Sequence, residues 1–350
     1  MGQPPRGCPT QDRQSACRRI AGLVRLAKEL GGMWGRVGGD GSGVRTGLVL
    51  IGAALLLRHA ACAWAQPRLQ VATRNALLGK PGAVVLLDVA SGQVLAVVNP
   101  DMAARRTFRP GSVFKIVTAW AALETGAADP REQTECRNVF SCGGQRLRCC
   151  LPGGHGKLDM AGALAKSCNV YFYHLSRRVS ATAVLQRARS LGFGAPSGRF
   201  GAAEKSGRLP RRINAADAPH FAIGDLGGTE VTVAQMAEMV RRLAIARGAA
   251  PEFIRRAMLT AVRRGTAAPA AVPGLAIAGK TGSPSREWGG GTHAWFVGFA
   301  PAEKPEVALA VLVLKGHGRD DAAPVARRIL SAWLMSKKER AGPSKERNDA

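Results

Sequence analysis

The chain has 350 residues, 46% of them hydrophobic and only 5% aromatic, which allows one large or two smaller globular domains with a core of Ala, Val and Leu. The formal net charge is +26, but the basic residues are scattered as Arg-Arg pairs, without interleaved aromatics or a nucleic-acid motif. This pattern argues against nucleic acid as a partner. It is typical of solvated helix faces, or of a surface that meets anionic polymers or lipid headgroups.

The N-terminal region carries an export signal rather than part of the fold. We expect residues 1–46 to be a disordered extension or one that results from a misplaced start codon, with Met33 as an alternative start. The uncharged apolar run 47–57 has the length of a signal-peptide core, and Ala63-Trp64-Ala65 fits a cleavage site. We therefore interpret residues 47–65 as a signal peptide or an uncleaved membrane anchor, and expect a protein in the periplasm or on the outer face of the cytoplasmic membrane. A buried core helix is the alternative.

The remaining chain divides into a short lead-in (66–82), one folded domain (83–336) and a flexible charged tail (337–350). Two strands precede many helices, and three strands and a helix follow them. This order predicts an α/β fold of the α+β type, in which about five antiparallel strands are flanked by helices and a large all-helical subdomain is inserted. In chain order, the predicted elements are strands 83–89 and 93–98, a helix 111–125, helices within 159–192, helices 232–247 and 252–264, strands 275–282, 293–300 and 307–315, and a helix 322–336.

Cysteines cluster in a Gly-rich segment, 130–157. In an exported protein this arrangement favours a disulfide-clamped loop, and we expect Cys136 and Cys149 to pair first. The spacing lacks the C-x2-C pairs of zinc knuckles, so no metal is predicted. Cys168 is expected to remain a reduced packing residue and His155 to be structural. The four clustered cysteines are Cys136, Cys142, Cys149 and Cys150.

Ser112 and Lys115 lie one helical turn apart in Arg-Pro-Gly-Ser-Val-Phe-Lys (109–115). Residues at i and i+3 share a helix face, so the lysine can reach the serine hydroxyl. A serine becomes a good nucleophile only beside a base, and a lysine whose pKa is lowered can be that base. The backbone N–H groups of a helix start can also stabilise an oxyanion. Alone, this pattern is more typical of a capped surface helix than of a catalytic serine.

Two later motifs add chemistry of the same kind. Ser167 and Asn169 bracket an apolar residue at a helix junction and can point into one cleft. Lys280-Thr281-Gly282 ends a predicted strand and offers a cation and a hydroxyl to a carboxylate, while the glycine admits a substrate backbone along the strand edge. Each motif alone carries little information.

The three motifs together, in this order, form the S-x-x-K, S-x-N and K-T-G set of serine penicillin-recognising enzymes. On these motifs the chain resembles the penicillin-binding protein transpeptidase domain, closest to the class B type, and the fold implied is β-lactamase/transpeptidase-like. The resemblance extends over about residues 70–335. Further similar segments are 82–96, His155-Gly156, 167–173, Ala222-Ile223-Gly224 and 294–301.

The resemblance implies a peptidoglycan D,D-transpeptidase that needs no metal or organic cofactor. Its substrates would be stem peptides ending in D-Ala-D-Ala, its inhibitors β-lactams, and its partner a lipid-linked glycan polymerase in the membrane. By the same resemblance, Ser112 would be the nucleophile and Lys115 its base, with Ser167 as a proton relay and Asn169 as support for Lys115 and the substrate. The terminal carboxylate and the substrate backbone would bind at the strand edge formed by Lys280, Thr281, Gly282 and Ser283. The backbone N–H groups of Ser112 and Ser283 would form the oxyanion hole.

Other functions use the same acylation chemistry. A D,D-carboxypeptidase would use water as acceptor, and a serine β-lactamase would need a deacylating base for which the sequence offers no convincing glutamate. A non-catalytic β-lactam sensor or scaffold would label without turnover. Three departures from the family pattern are the absence of a long pedestal segment before the domain, the segment 225–230, and the extra Cys142 and Cys150.

Overall fold

A computed structural model describes residues 67–285 and 291–341 of the chain. The predicted N-terminal extension (1–46), the signal or anchor (47–65) and the last part of the predicted tail lie outside the described residues. Within the described ranges, none of the helices is both long and apolar enough to cross a bilayer.

The described chain contains helices and strands in the predicted general order. The strands are β1 (Gly82–Asp88), β2 (Val94–Val98), β3 (Thr134–Cys136), β4 (Val139–Cys142), β5 (Gln145–Arg148), β6 (Gly156–Leu158), β7 (Ala278–Gly282), β8 (Ala294–Ala300) and β9 (Val307–Val313). The helices are α1 (Pro67–Ala76), α2 (Pro100–Arg105), α3 (Lys115–Glu124), α4 (Met160–Ala165), α5 (Asn169–Leu175), α6 (Ala181–Ser190), α7 (Ala218–Ala222), α8 (Val233–Ile245), α9 (Ala249–Arg264) and α10 (Ala323–Ala341).

The centre of the fold is a five-stranded sheet in the order β2-β1-β9-β8-β7. All neighbouring strands in it are antiparallel, and β1 from the N-terminal part pairs along its whole length with β9 from the C-terminal part. The prediction of a five-stranded antiparallel sheet closed by both ends of the domain is therefore confirmed. Strand β7, which carries the Lys-Thr-Gly motif, is an edge strand.

Side chains alternate between the two faces of this sheet, as strand geometry requires. In β9, Ala308, Ala310 and Leu312 join the core on the helical-subdomain side, which includes the residues of α3 and α8. Val307, Leu309, Val311 and Val313 join a second core on the other face, beneath α1 and α10. Because β1, β8 and β9 are buried on both faces, their sequences are almost continuously apolar.

Three parts of the chain differ from the sequence-based expectation. The lead-in contains α1, and the segment between the predicted strand 93–98 and the predicted helix 111–125, for which no element was predicted, contains α2. The segment inserted between sheet strands is not all-helical, because 134–158 holds the two short antiparallel ladders β3–β6 and β4–β5. The final helix α10 extends to Ala341, five residues beyond its predicted end at 336.

A buried carboxylate fastens α8, the helix that packs on β9. The side chain of Glu238 is only 3% exposed and pairs with Arg199 at 3.1 Å, Arg241 at 2.9 Å and Arg242 at 3.0 Å. Burial alone raises the pKa of Glu238, but the hydrogen bonds from Arg241 and Arg242 outweigh it and lower the pKa to about 2. A depressed carboxyl pKa stabilises the fold at neutral pH.

Replacing Glu238 with Gln should lower the free energy of unfolding by about 1–3 kcal/mol at pH 7, because the guanidinium groups lose their common partner. The effect should be full above the ordinary glutamate pKa of 4.5 and should shrink as the pH falls toward about 2, where the wild-type carboxylate also gains a proton. Urea unfolding at pH 7 and pH 3 measures this difference. Glu306→Gln, which removes the partly exposed pair with Lys337, is the control and should cost less than about 1 kcal/mol. An equal loss in both variants at both pH values would contradict the prediction.

Candidate active site

A cleft of about 340 Å³ lies between edge strand β7 and the start of α3. All three sequence motifs contribute to it. The predicted site residues that line the cleft are Ser112, Ser167, Asn169, Thr281, Gly282 and Ser283. Lys115 and Lys280 are fully buried in its wall.

Ser112 lies in a 3-10 turn, Gly111–Phe114, that leads directly into α3. Gly111 has a φ of +53°, and a Cβ there would lie 2.8 Å from Pro284, so only glycine fits. A Cβ at Gly282 would lie 3.1 Å from the carbonyl oxygen of Pro110. The two glycines thus allow the turn of Ser112 and the end of β7 to approach closely.

Lys115 points away from solvent toward the second motif. Its Nζ donates to the carbonyl oxygen of Ser167 at 2.7 Å and to Asn169 Oδ1 at 2.6 Å, and lies 3.5 Å from Ser167 Oγ. The helix spacing predicted that Lys115 can reach the Ser112 hydroxyl, but it did not predict the hydrogen bonds of Nζ to Ser167 and Asn169. Lys115 Nζ also lies 5.6 Å from the centre of the Phe172 ring, within cation–π range.

Lys280 reaches the same serine from the opposite side. Its Nζ donates to Ser167 Oγ at 2.8 Å and to the carbonyl oxygen of Thr281 at 2.8 Å. The Ser167 hydroxyl therefore lies between two buried ammonium groups. This serine has a φ of +57°, a rare left-handed conformation for a side chain with a Cβ.

The two buried lysines ionise below the usual range for lysine. Burial, which disfavours the charged form, lowers the pKa of Lys115 from 10.5 to about 8. Burial and then the neighbouring positive charge of Lys115 lower the pKa of Lys280 well below its ordinary value. A lysine with a pKa near neutrality can accept a proton at physiological pH.

The carboxyl end of β7 completes the floor of the cleft. Thr281 is nearly buried, and its hydroxyl shares a 2.7 Å hydrogen bond with Thr266. Ser283 Oγ accepts a hydrogen bond from the backbone N–H of Gly318 at 2.9 Å. Trp295, next to Gly282 in the β7–β8 register, donates from its ring nitrogen to the carbonyl oxygen of Arg109 at 3.0 Å.

Several cleft residues were not predicted from the sequence. Thr266 and the turn after β9 reach the cleft only through tertiary packing, so no local pattern marks them. Asp225 lies in the segment that departs from the family pattern, and its carboxylate is 3.9 Å from Arg109. Burial raises the pKa of Asp225. The additional lining residues with polar side chains include Cys150, Asp225, Thr266, His317, Arg319 and Asp320.

The cysteines next to the cleft carry free thiols in the described part of the chain: Cys136, Cys142, Cys149, Cys150 and Cys168. The predicted disulfide between Cys136 and Cys149 is therefore not formed here. The thiols of Cys136, Cys149 and Cys168 and a ring nitrogen of His155 instead converge, with all four atoms within 4.8 Å of one another. We call these four residues the thiol cluster.

Comparison with known proteins assigns the chain to a class. Residues 82–331 match the family model of the penicillin binding protein transpeptidase domain. That match covers more than half of the chain, so the chain belongs to the penicillin-binding protein transpeptidase domain family.

Relatives and solved structures agree with this assignment. Peptidoglycan D,D-transpeptidase MrdA of Acinetobacter baumannii is 25% identical over 77% of this chain and 53% of its own length. Peptidoglycan D,D-transpeptidase PbpA of Mycobacterium tuberculosis is 26% identical over 73% of this chain and 67% of its own length. The chain thus spans about half to two thirds of the length of these curated relatives.

The structure of Pseudomonas aeruginosa PBP2 superposes with a TM-score of 0.71 at 26% identity, covering 77% of each chain. The D,D-transpeptidase domain from Eggerthella lenta gives 0.70 at 25% identity, covering 78% of this chain and 82% of that one.

The coupling between the two buried lysines can be measured directly. In protein labelled with carbon-13 at lysine Cε, Lys115 should titrate near pH 8. Replacing Lys115 with Met should raise the pKa of Lys280, because a neighbouring positive charge is lost. Lys157→Met, at an exposed strand position, serves as control and should leave both titrations unchanged. Midpoints above pH 10 for both buried lysines would contradict this description of the site.

Proposed function

We propose that this chain is a peptidoglycan D,D-transpeptidase that works through an acyl-enzyme on Ser112. The observation that carries the proposal is the meeting of Lys115 and Lys280 at the Ser167 hydroxyl, in a cleft lined by Ser112 and bounded by an edge strand. The activity printed in the names of the relatives, peptidoglycan D,D-transpeptidase, supports the same reaction class.

In the proposed acylation, the Ser112 Oγ attacks the penultimate D-Ala carbonyl of a stem peptide. Its proton passes to neutral Lys115, which the lowered pKa makes available at physiological pH. The N–H groups of Ser112 and Ser283 would stabilise the oxyanion. Ser167, hydrogen-bonded to both lysines, would carry a proton to the departing D-Ala amine, so that the C–N bond breaks as the acyl-enzyme forms.

Substrate binding in this proposal uses the edge of β7. An extended peptide would align along the free edge of Lys280-Thr281-Gly282 by strand addition. Lys280 and the Thr281 hydroxyl would attract the terminal carboxylate, with Ser283 assisting. Asn169, which holds Lys115 Nζ at 2.6 Å, would orient the base and the substrate amide. An amine of a second stem peptide would then take the acyl group and form the cross-link.

The cellular setting follows from the same proposal. Stem peptides of peptidoglycan are cross-linked outside the cytoplasmic membrane, so we place the chain on the periplasmic side. There it would also bind β-lactams, which imitate D-Ala-D-Ala. A lipid-linked glycan polymerase would supply the strands to be linked.

The nucleophile can be tested with a fluorescent penicillin. The wild-type protein should form a stable adduct, and peptide mapping by mass spectrometry should locate it on Ser112. Ser112→Ala should abolish labelling while the fold, measured by circular dichroism, is retained. Ser91→Ala, in the β1–β2 turn, is the matched control and should label normally.

The release rate separates the competing functions. Slow release together with cross-linking of stem peptides supports the transpeptidase. Rapid release of hydrolysed penicillin would indicate a β-lactamase, release of D-Ala to water alone a carboxypeptidase, and labelling without peptide turnover a sensor. Unchanged labelling of the Ser112→Ala variant would reject the proposed nucleophile.

The proposed base predicts a pH dependence of acylation. Because only neutral Lys115 accepts the proton, the rate should rise with pH through about 8 and level off above it. Lys115→Arg keeps a positive charge that does not dissociate in this range, so it should remove the rise and slow acylation by about 10²- to 10⁴-fold. Stopped-flow labelling between pH 6 and 9.5 measures both effects. A flat wild-type profile over this range would exclude Lys115 as the base.

A further inference from the structure

The thiol cluster lies behind the wall of the cleft, and the chain folds so as to assemble it. Cys136 ends β3 opposite Gly156 of β6, which places His155 beside it. Cys149 follows β5, and its backbone N–H donates to the carbonyl oxygen of Asn138 at 2.7 Å. Gly154 has a φ of +80°, and a Cβ there would lie 2.1 Å from the carbonyl oxygen of Cys136, so only glycine allows the chain to turn there.

The fourth member comes from the active-site motif itself. Cys168 stands between Ser167 and Asn169 and is the N-cap of α5, where its sulfur accepts the backbone N–H of Tyr171 at 3.4 Å. The backbone N–H of Asn169 donates to the sulfur of Cys149 at 3.3 Å. Sulfur atoms that accept backbone N–H groups in this way are well suited to carry the negative charge of a thiolate.

The distances within the cluster match a tetrahedral metal centre. Cys149 Sγ lies 3.8 Å from Cys168 Sγ, and His155 Nδ1 lies 3.7 Å from Cys136 Sγ and 3.4 Å from Cys149 Sγ. With metal–sulfur bonds of about 2.3 Å and a metal–nitrogen bond of about 2.0 Å, a tetrahedron has edges of about 3.8 Å between sulfurs and about 3.5 Å between sulfur and nitrogen. A disulfide would instead need two sulfurs about 2.05 Å apart.

We propose that Cys136, Cys149, His155 and Cys168 bind one Zn²⁺ ion as a structural site, and that this ion positions the Ser167–Asn169 motif. Three thiolates and one imidazole in a closed tetrahedron are a ligand set that selects zinc. Two buried cysteines and two half-buried residues form the set, and four protein ligands complete a tetrahedron without a water ligand. Cys150 lies on the cleft side and is not one of the four ligands.

The expectation of a disulfide and of no metal came from spacing within 136–150 alone. That segment lacks C-x2-C pairs, but the zinc ligands do not come from neighbouring positions. Two short ladders bring Cys136, Cys149 and His155 together, and Cys168 joins from α5. Binding at these four positions would link β3, the chain after β5 and α5 through the metal ion rather than through a disulfide.

Metal analysis of the full-length protein tests the site. The chain purified under reducing conditions without chelators should contain about one zinc per molecule by inductively coupled plasma mass spectrometry. Cys149→Ser and His155→Ala should lose most of the zinc, and His155→Cys, which restores a ligand, should retain it. Cys150→Ser is the matched control at the neighbouring position and should keep the wild-type content.

A measurement on the wild-type chain covers the case in which ligand variants fail to fold. After removal of zinc by a chelator, added Co²⁺ should give the intense visible absorption of a tetrahedral cobalt–thiolate centre, and Zn²⁺ should displace it. A metal-free protein that does not bind Co²⁺, an equal loss of zinc in Cys150→Ser, another metal in place of zinc, or a disulfide among Cys136, Cys149 and Cys168 in the natively purified chain would overturn the proposal.

The positioning role rests on the proposed function and has its own readout. Removing zinc should slow penicillin acylation by about 10- to 100-fold, the cost of a misplaced catalytic group, and restoring zinc should recover it. An acylation rate that does not change between zinc-free and zinc-loaded protein would overturn the positioning role. Failure of Ser112 to label at all, with zinc bound, would instead reject the proposed function and leave the metal site standing.

Discussion

The placement of two buried lysines around one serine hydroxyl is the constraint on which the site depends. Lys115 and Lys280 are both fully buried, and both approach Ser167 Oγ, at 3.5 and 2.8 Å. Burying an ammonium group is costly unless it is paired or loses its proton. In the wall of this cleft, the hydrogen-bond partners of both lysines are oxygens of a serine, an asparagine and backbone carbonyls rather than carboxylates. Burial in the fold thus favours the neutral form of both lysines and lowers their pKa values, and a base that accepts a proton near neutral pH needs such a lowered pKa.

The site also depends on contacts that are distant in sequence. The turn of Ser112, the motif at Ser167 and the end of β7 belong to three separate parts of the chain. Strand β7 reaches the site through β8 and β9, and β9 is fixed by its pairing with β1. The cleft therefore acquires its geometry only after the long-range pairing of the sheet has formed. An intact site consequently indicates that the domain has folded completely.

The sequence predicts well what periodicity and motif order determine. The apolar strands and the helix α8 have hydrophobic patterns that can be recognised without knowledge of the tertiary contacts. Helix α1 was missed because half of its ten residues are polar and only a few of them pack inward. It is held by the burial of Leu69, Thr73 and Ala76 rather than by its own propensity. Helix α2 was missed because it is short and begins after Asn99 in a left-handed conformation.

Among site residues, the motif positions were predictable and their partners were not. Spacing predicted that Lys115 can reach Ser112, but a helix pattern cannot show that Ser167 and Asn169 accept hydrogen bonds from the same lysine. Cleft residues such as Thr266 and Arg319 carry no local signal, since only the packing of α9 and the turn before α10 brings them there. Conversely, the departure at Asp225 was visible in the sequence, but its contact with Arg109 requires the fold.

The thiol cluster and the lysine pair are joined by a short series of contacts. The backbone N–H of Asn169 rests on the sulfur of Cys149, and the side chain of the same asparagine holds Lys115 Nζ. Ser167, whose left-handed backbone is unfavourable for a residue with a Cβ, is followed directly by the ligand Cys168. A strained backbone conformation persists only if the surrounding structure fixes it. The proposed zinc ion and its four ligands would fix Ser167 from the side away from the substrate. The cleft face of this motif then stays free for chemistry, because the opposite face supplies its rigidity.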